Sequence, residues 1–112
     1  MPIVKQSEAK KVAFAPDRTR YIAYTEHLMI TVFDFHNGPW AQPDPPHSHP
    51  HEQVTYVADG RVRFFLDGVA TELKTGDLIA IPGGVPHSIQ ILTADLRMVD
   101  TFTPLRDEFL EK

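Results

Sequence analysis

The tightest constraint on what this chain can fold into is the even spacing of its turn signals. Asn37-Gly38-Pro39, a proline cluster at 43–46, Asp59-Gly60, Asp67-Gly68, Thr75-Gly76-Asp77 and Pro82-Gly83-Gly84 punctuate the sequence. Between them lie short runs rich in β-branched and aromatic residues: 28–35 (LMITVFDF), 53–57, 62–66, 69–73, 78–81, 88–92 and 96–102. Many short strands at even spacing indicate a sandwich or a closed barrel. The shortness of the runs and the glycines between them argue against buried helices. Asp-Gly between two such runs is a strong hairpin signal, because a type I′ turn needs positive φ at both central residues. It occurs at 59–60 and at 67–68. Only 105–112 reads as helical, and only as a short C-terminal turn. The expected fold class is all-β with barrel-like closure.

Size and charge narrow the function. At 112 residues the chain has the size of one domain, expected over 1–112, with surface enough to bury one core. Fifteen acidic residues against eleven basic ones give a net charge of −4, which argues against the basic face a nucleic-acid partner requires. Cysteine is absent, so disulfides, a thiolate nucleophile and cysteine-ligated metal centres are excluded. No apolar run approaches the roughly 18–20 residues that cross a bilayer. The opening MPIVKQSEAKK lacks the apolar stretch of a signal peptide, so the expected location is the cytoplasm, with no membrane partner.

Two counts stand out, ten prolines and six histidines. His47, His49 and His51 fall within five residues, stiffened by the neighbouring prolines. In an extended segment residues i and i+2 face the same way, so His47 and His49 present two imidazoles on one wall. Gln53 returns to that wall if residues 50–52 turn into the next strand. His87, just after Pro-Gly-Gly-Val-Pro, can close the set from a neighbouring strand. Three imidazoles and an amide oxygen suit a borderline divalent transition metal: Ni, Zn, Mn, Fe or Co. His51 sits where the chain must turn and is expected beside the site. Glu52 has the parity opposite to Gln53 and is expected toward solvent, though a ligand set using Glu52 remains an alternative. Elsewhere, Met29 on the 28–35 run shares the face of Thr31 and Phe33 and would shape a pocket if that face lines a barrel. His36 is expected to be solvated. Arg61 and Arg63 read as a solvated face, and Trp40 as a cap over the barrel mouth or a contact between copies.

These residues resemble the cupin family. Its first motif pairs HxH with an acidic residue shortly after and a glycine six residues beyond. Here it reads His47-Ser-His49-Pro-His-Glu-Gln53 and then Gly60. Its second motif, a glycine, PxG and a histidine at fixed spacing, reads Gly76, Pro82, Gly84 and His87. The resemblance implies a double-stranded β-helix, or jelly-roll, barrel with a metal at one mouth, and frequent homodimerisation. Three departures stand against it: Gln53 replaces the family's glutamate, Ile91 replaces the asparagine closing the second motif, and Gly38 is displaced by a proline-rich insertion. The first has chemical content. Neutral histidines and a neutral glutamine leave a divalent ion its full charge, which favours stabilising an oxyanion or enolate over oxidising chemistry.

Within that family, the run HSHPHEQ and the closing run DTFTPLRDEFL are similar to the KdgF-type cupins of pectin and alginate breakdown. That resemblance implies an isomerase-type reaction: opening of 4,5-unsaturated uronates and tautomerisation to linear keto-uronates. By position it implies His47, His49, Gln53 and His87 as metal ligands. It also implies Asp100 and Arg106 as catalytic residues, with Phe102 and Arg106 at the substrate. A carboxylate near a dication can move a proton, a guanidinium fork suits a substrate carboxylate, and a phenyl ring offers a wall to a sugar. Two other expectations compete: a metal-dependent dioxygenase, and a non-enzymatic cupin that binds a metal or ligand without turnover.

Overall fold

The computed structural model describes residues 3–110. A 3-10 turn at Gln6–Glu8 precedes nine strands. These are β1 (Val12–Ala15), β2 (Arg18–Tyr24), β3 (Met29–Phe35), β4 (Glu52–Asp59), β5 (Arg61–Leu66), β6 (Val69–Lys74), β7 (Leu78–Ile81), β8 (His87–Ile91) and β9 (Leu96–Thr103). A short helix, α1 (Asp107–Leu110), follows. This places the expected C-terminal turn at its centre; residues 111–112 lie outside the described part. Every strand pairing is antiparallel. One sheet runs β1-β2-β3-β9-β4-β7 and the other β6-β5-β8, which is the jelly-roll arrangement the sequence led us to expect.

Strands β3, β4 and β9 alternate buried and exposed residues along their length, so each turns one face inward. The inner residues of β3 and β9 stand opposite one another: Met29 against Phe102, Thr31 against Asp100, Phe33 against Met98. On the other flank of β9, Gln53 stands against Phe102 and Thr55 against Asp100. This register sorts the interior. Phe33, Phe35, Val57, Val62, Phe64, Ile91, Leu96 and Met98 pack into one apolar cluster. The buried polar residues Thr31, Gln53, Thr55 and Asp100 lie toward the other end of the same strands.

The two Asp-Gly pairs behave differently. Asp67 (φ 51) and Gly68 (φ 83) make the expected type I′ hairpin between β5 and β6. Asp59-Gly60 does not make a hairpin, because β4 and β5 belong to different sheets. There the chain turns a corner between sheets, against the Asp95 carbonyl, and a Cβ on Gly60 would lie 2.5 Å from that oxygen. Glycine is required at 60 by close approach as well as by its positive φ. β1 and β2 are also additions to the sequence reading.

Candidate metal centre and active site

The proline-rich segment between β3 and β4 is what brings the histidines together. It runs antiparallel beside β8: Trp40 N–H donates to Ile91 O (2.9 Å), Asp44 N–H to Ile89 O (3.0 Å) and His47 N–H to His87 O (3.0 Å). Prolines 39, 43, 45 and 46 have no amide to donate, so no regular ladder forms. The pairing is strongest at its end, where His47 and His87 exchange two backbone hydrogen bonds, 3.0 and 2.8 Å. Two residues on, His49 O accepts from Gly84 N–H at 2.8 Å. The Pro-Gly-Gly turn allows this approach, since a Cβ on Gly83 would meet Pro50 O at 2.4 Å. Trp40 is partly buried against the apolar cluster; its ring meets Phe35 edge-on at 5.9 Å and lies under the Arg18 guanidinium at 4.2 Å.

The three imidazoles converge. Ring centroids are 4.4 Å apart for His47 and His87, 4.8 Å for His49 and His87, and 5.8 Å for His47 and His49. One nitrogen from each lies within 4.8 Å of the others. The outward nitrogens set the tautomers. His49 Nδ1 lies 3.0 Å from His51 O, and His87 Nδ1 lies 2.9 Å from Val85 O. A carbonyl only accepts, so both Nδ1 atoms carry the proton and both Nε2 atoms present lone pairs inward. His87 Nε2 is buried with no partner. His49 Nε2 faces Gln53 Oε1 at 3.1 Å, a second acceptor. Converging lone pairs with no proton between them fit a cation. Burial and the neighbouring His87, His49 and Arg106 lower His47 to about 4, and burial together with Arg106 and His87 lowers His49. Both are therefore neutral near pH 7, the form that binds metal.

His51 stands beside this cluster, its Nε2 3.1 Å from Leu105 O, and Glu52 is exposed. His36 pairs with Asp95 at the surface, and Arg61 pairs with Glu72. Those placements agree with the sequence reading.

A cavity of about 180 Å³ opens beside the histidines; His47, Gln53, His87, Asp100, Phe102, Arg106 and Phe109 are among its lining. Asp100 is almost wholly buried, and burial raises its carboxyl to about 7, against the opposing pull of the Thr55 hydrogen bond and Arg106. Arg106 reaches the cavity with its guanidinium 5.2 Å from the Phe102 ring and 4.4 Å from the Phe109 ring. Its fork is engaged by Glu108 Oε2, 2.7 Å from Nε and 2.6 Å from Nη2. Phe109 lies between Arg106 and Arg20, 4.4 Å from each guanidinium, and meets Phe33 and Phe102 edge-on. Thus α1 closes one side of the cavity.

Met29 departs from its expected role. It faces inward, opposite Phe102, but it is fully buried and does not line the cavity. Its cross-strand neighbour Phe102 does line the cavity. One residue of evident interest, Thr55, escaped the sequence reading, whereas a pairing of Arg106 with Glu108 was one of its alternatives. Thr55 shares the face of Gln53, two residues away, and bridges it to Asp100. Glu108 follows Arg106 by two residues and occupies its fork.

Residues 34–102 match the family model described as the cupin domain. The chain is 31% identical over 94 residues to the pectin degradation protein KdgF of Dickeya dadantii, covering 83% of each. Among solved structures it is similar to KdgF from a Halomonas species, with TM-score 0.84 and 30% identity over 94% of both chains. An RmlC-like cupin from Shewanella frigidimarina gives TM-score 0.85 at 26% identity, covering 95% of this chain and 93% of that one.

Proposed function

The chain belongs to the cupin family, and on that premise we propose that it is a metal-dependent enzyme of uronate breakdown, linearising 4,5-unsaturated monouronates. The observation that carries this reading is a juxtaposition. Asp100, Phe102 and Arg106 line one cavity with His47, His87 and Gln53, in a chain similar to KdgF proteins over most of its length. His47, His49, His87 and Gln53 would hold the ion. A divalent transition ion held by neutral ligands supplies undiminished positive charge to an oxygen that becomes anionic during reaction.

The remaining roles follow from the side chains. Arg106 offers a planar fork to the substrate carboxylate, exchanging Glu108 for it. Phe102 and Phe109 give apolar walls that orient the ring and exclude water. Asp100, poised near neutrality by burial, carries a proton in either direction at working pH. Opening the ring leaves an enol at C5. Asp100 gives a proton to C4 as the C4=C5 bond becomes single, and the enol oxygen gives up its proton, which returns to the Asp100 carboxylate, as the C5 carbonyl forms. No net proton is consumed.

The test is a reading on one purified sample. Bound metals are quantified, and product formed from a freshly made 4,5-unsaturated monouronate is followed by NMR with and without chelator. The proposal expects faster, chelator-sensitive appearance of the linear keto-uronate. A metal-loaded protein that leaves the spontaneous rate unchanged would remove the uronate assignment, and oxygen uptake would then separate an oxygenase from a binding protein.

A further inference from the structure

A hydrogen-bonded chain of four side chains runs through the interior from the histidines to Asp100. Gln53 Oε1 lies 3.1 Å from His49 Nε2. Gln53 Nε2 donates to Thr55 Oγ1 at 2.9 Å, and Thr55 Oγ1 donates to Asp100 Oδ1 at 2.6 Å. Thr55 itself is fully buried at the middle of β4. We propose that Thr55 is a positioning residue of this site: its hydroxyl holds Asp100 and orients the Gln53 amide with oxygen, not nitrogen, toward the metal. This rests on the reading above, in which Gln53 is a ligand and Asp100 the proton carrier.

The argument is one of proton count. A hydroxyl has a single proton to give and lone pairs that accept. Asp100 Oδ1 accepts the Thr55 proton, as an oxygen of the ionised carboxylate or as the carbonyl oxygen of the acid whose own proton sits on Oδ2. The bond from Gln53 must then be donated by the amide nitrogen, which turns Oε1 to His49. An amide is free to flip by half a turn at little cost unless its neighbours distinguish its ends. Thr55 makes that distinction.

The same count explains why position 53 carries glutamine. A glutamate there would set two carboxylates about one hydroxyl proton, in a buried setting where like charges repel strongly. With Asp100 two links away, the chain accommodates one carboxylate, and Gln53 supplies the donor that Thr55 can accept. Glutamine at the ligand position and aspartate at the catalytic position are thereby coupled through a residue that touches neither metal nor substrate.

The test uses the full chain and Co²⁺ as probe, because cobalt reports its ligands by visible absorption. Thr55→Val keeps the side-chain shape and removes the hydroxyl. It is expected to weaken Co²⁺ binding by roughly 10-fold or more, as changes behind a metal ligand do, and to shift the visible band. Thr55→Ser is expected to restore both. Thr55→Val that binds Co²⁺ with unchanged affinity and spectrum, while His87→Ala loses the ion, would overturn the proposal and leave the metal site standing. Unchanged binding in His87→Ala as well would sink the metal reading beneath it. If Thr55→Val does not fold, the metal-free melting temperatures of Gln53→Glu and Gln53→Glu/Asp100→Asn decide. With Asp100→Asn also measured alone, the proposal expects this change to raise the melting temperature more in the Gln53→Glu background than in the parent, and an equal change in the two backgrounds would overturn it.

Discussion

The two ends of the barrel interior are built from the same strands and serve opposite purposes. At one end Phe33, Phe35, Val57, Val62, Phe64, Ile91, Leu96 and Met98 fill the space between the sheets. At the other, inward positions of β3, β4 and β9 carry Thr31, Gln53, Thr55 and Asp100, with His49 and His87 close by. Burying apolar side chains stabilises the fold by roughly 25 cal/mol per Å² removed from water. Burying Asp100 does the reverse, and its raised carboxyl measures the cost. The difference teaches where stability was given up for buried polar groups that the proposed reaction would use. The polar end is tolerable because Gln53, Thr55 and Asp100 satisfy one another, while Thr31 Oγ1 and His87 Nε2 are buried without a partner.

The comparison breaks most sharply at His87. His87→Ala is expected to lose the metal, and with it any metal-dependent rise in melting temperature; retention of full affinity by equilibrium dialysis would erase the distinction between the ends. Next comes the apolar end. Leu96→Ala should cost about 2–5 kcal/mol in denaturant unfolding, from lost burial and the cavity left behind, yet leave metal affinity in the folded protein intact.

The third expectation has the opposite sign. In the metal-free protein Asp100 holds its proton up to about pH 7, whereas an unfolded aspartate releases it near 3.8. Its contribution is therefore fully present below about 4 and is lost as pH rises through 7. Asp100→Asn should gain on the parent by roughly 2–4 kcal/mol at pH 8 and by much less at pH 4. His47, lowered to about 4, acts in the other direction. It stabilises the fold above its unfolded value of 6.5, and that stability is lost as pH falls toward 4, so the metal-free parent should weaken at both extremes. The smallest effect is at the lid. Glu108→Gln frees the Arg106 fork of a half-exposed partner worth about 0.2–1 kcal/mol. KM for an anionic substrate should fall by up to about fivefold with kcat unchanged.

How legible these features were in the sequence differs between the ends. The apolar end could be read, because alternation in LMITVFDF and LRMVDTF marks inward positions directly. The metal cluster could be read too, since HxH in an extended segment puts both rings on one wall and the second motif supplies His87. β2 could not, because RTRYIAY turns Arg18 and Arg20 inward, where they stack on aromatic rings and, for Arg18, pair with Asp44. Inward arginines hide the apolar alternation by which a strand is recognised. Asp59-Gly60 misled because a hairpin and a corner between sheets share the same dipeptide. The chain from Gln53 through Thr55 to Asp100 depends on the β4–β9 register, which pairs positions 45 residues apart. No local pattern encodes that pairing. Met29 could be assigned to the inner face, but parity alone does not separate a residue that lines a cavity from one that packs.

The most direct test of the account is the rate at which metal-loaded protein removes the conjugated C=C ultraviolet absorbance of a 4,5-unsaturated monouronate, measured beside Asp100→Ala at matched metal content. The account predicts a clear acceleration in the parent and a loss of at least 100-fold in Asp100→Ala, with the metal still bound. An equal rate in the two proteins would contradict it, for then the buried polar end would hold a metal without doing the chemistry that its cost implies.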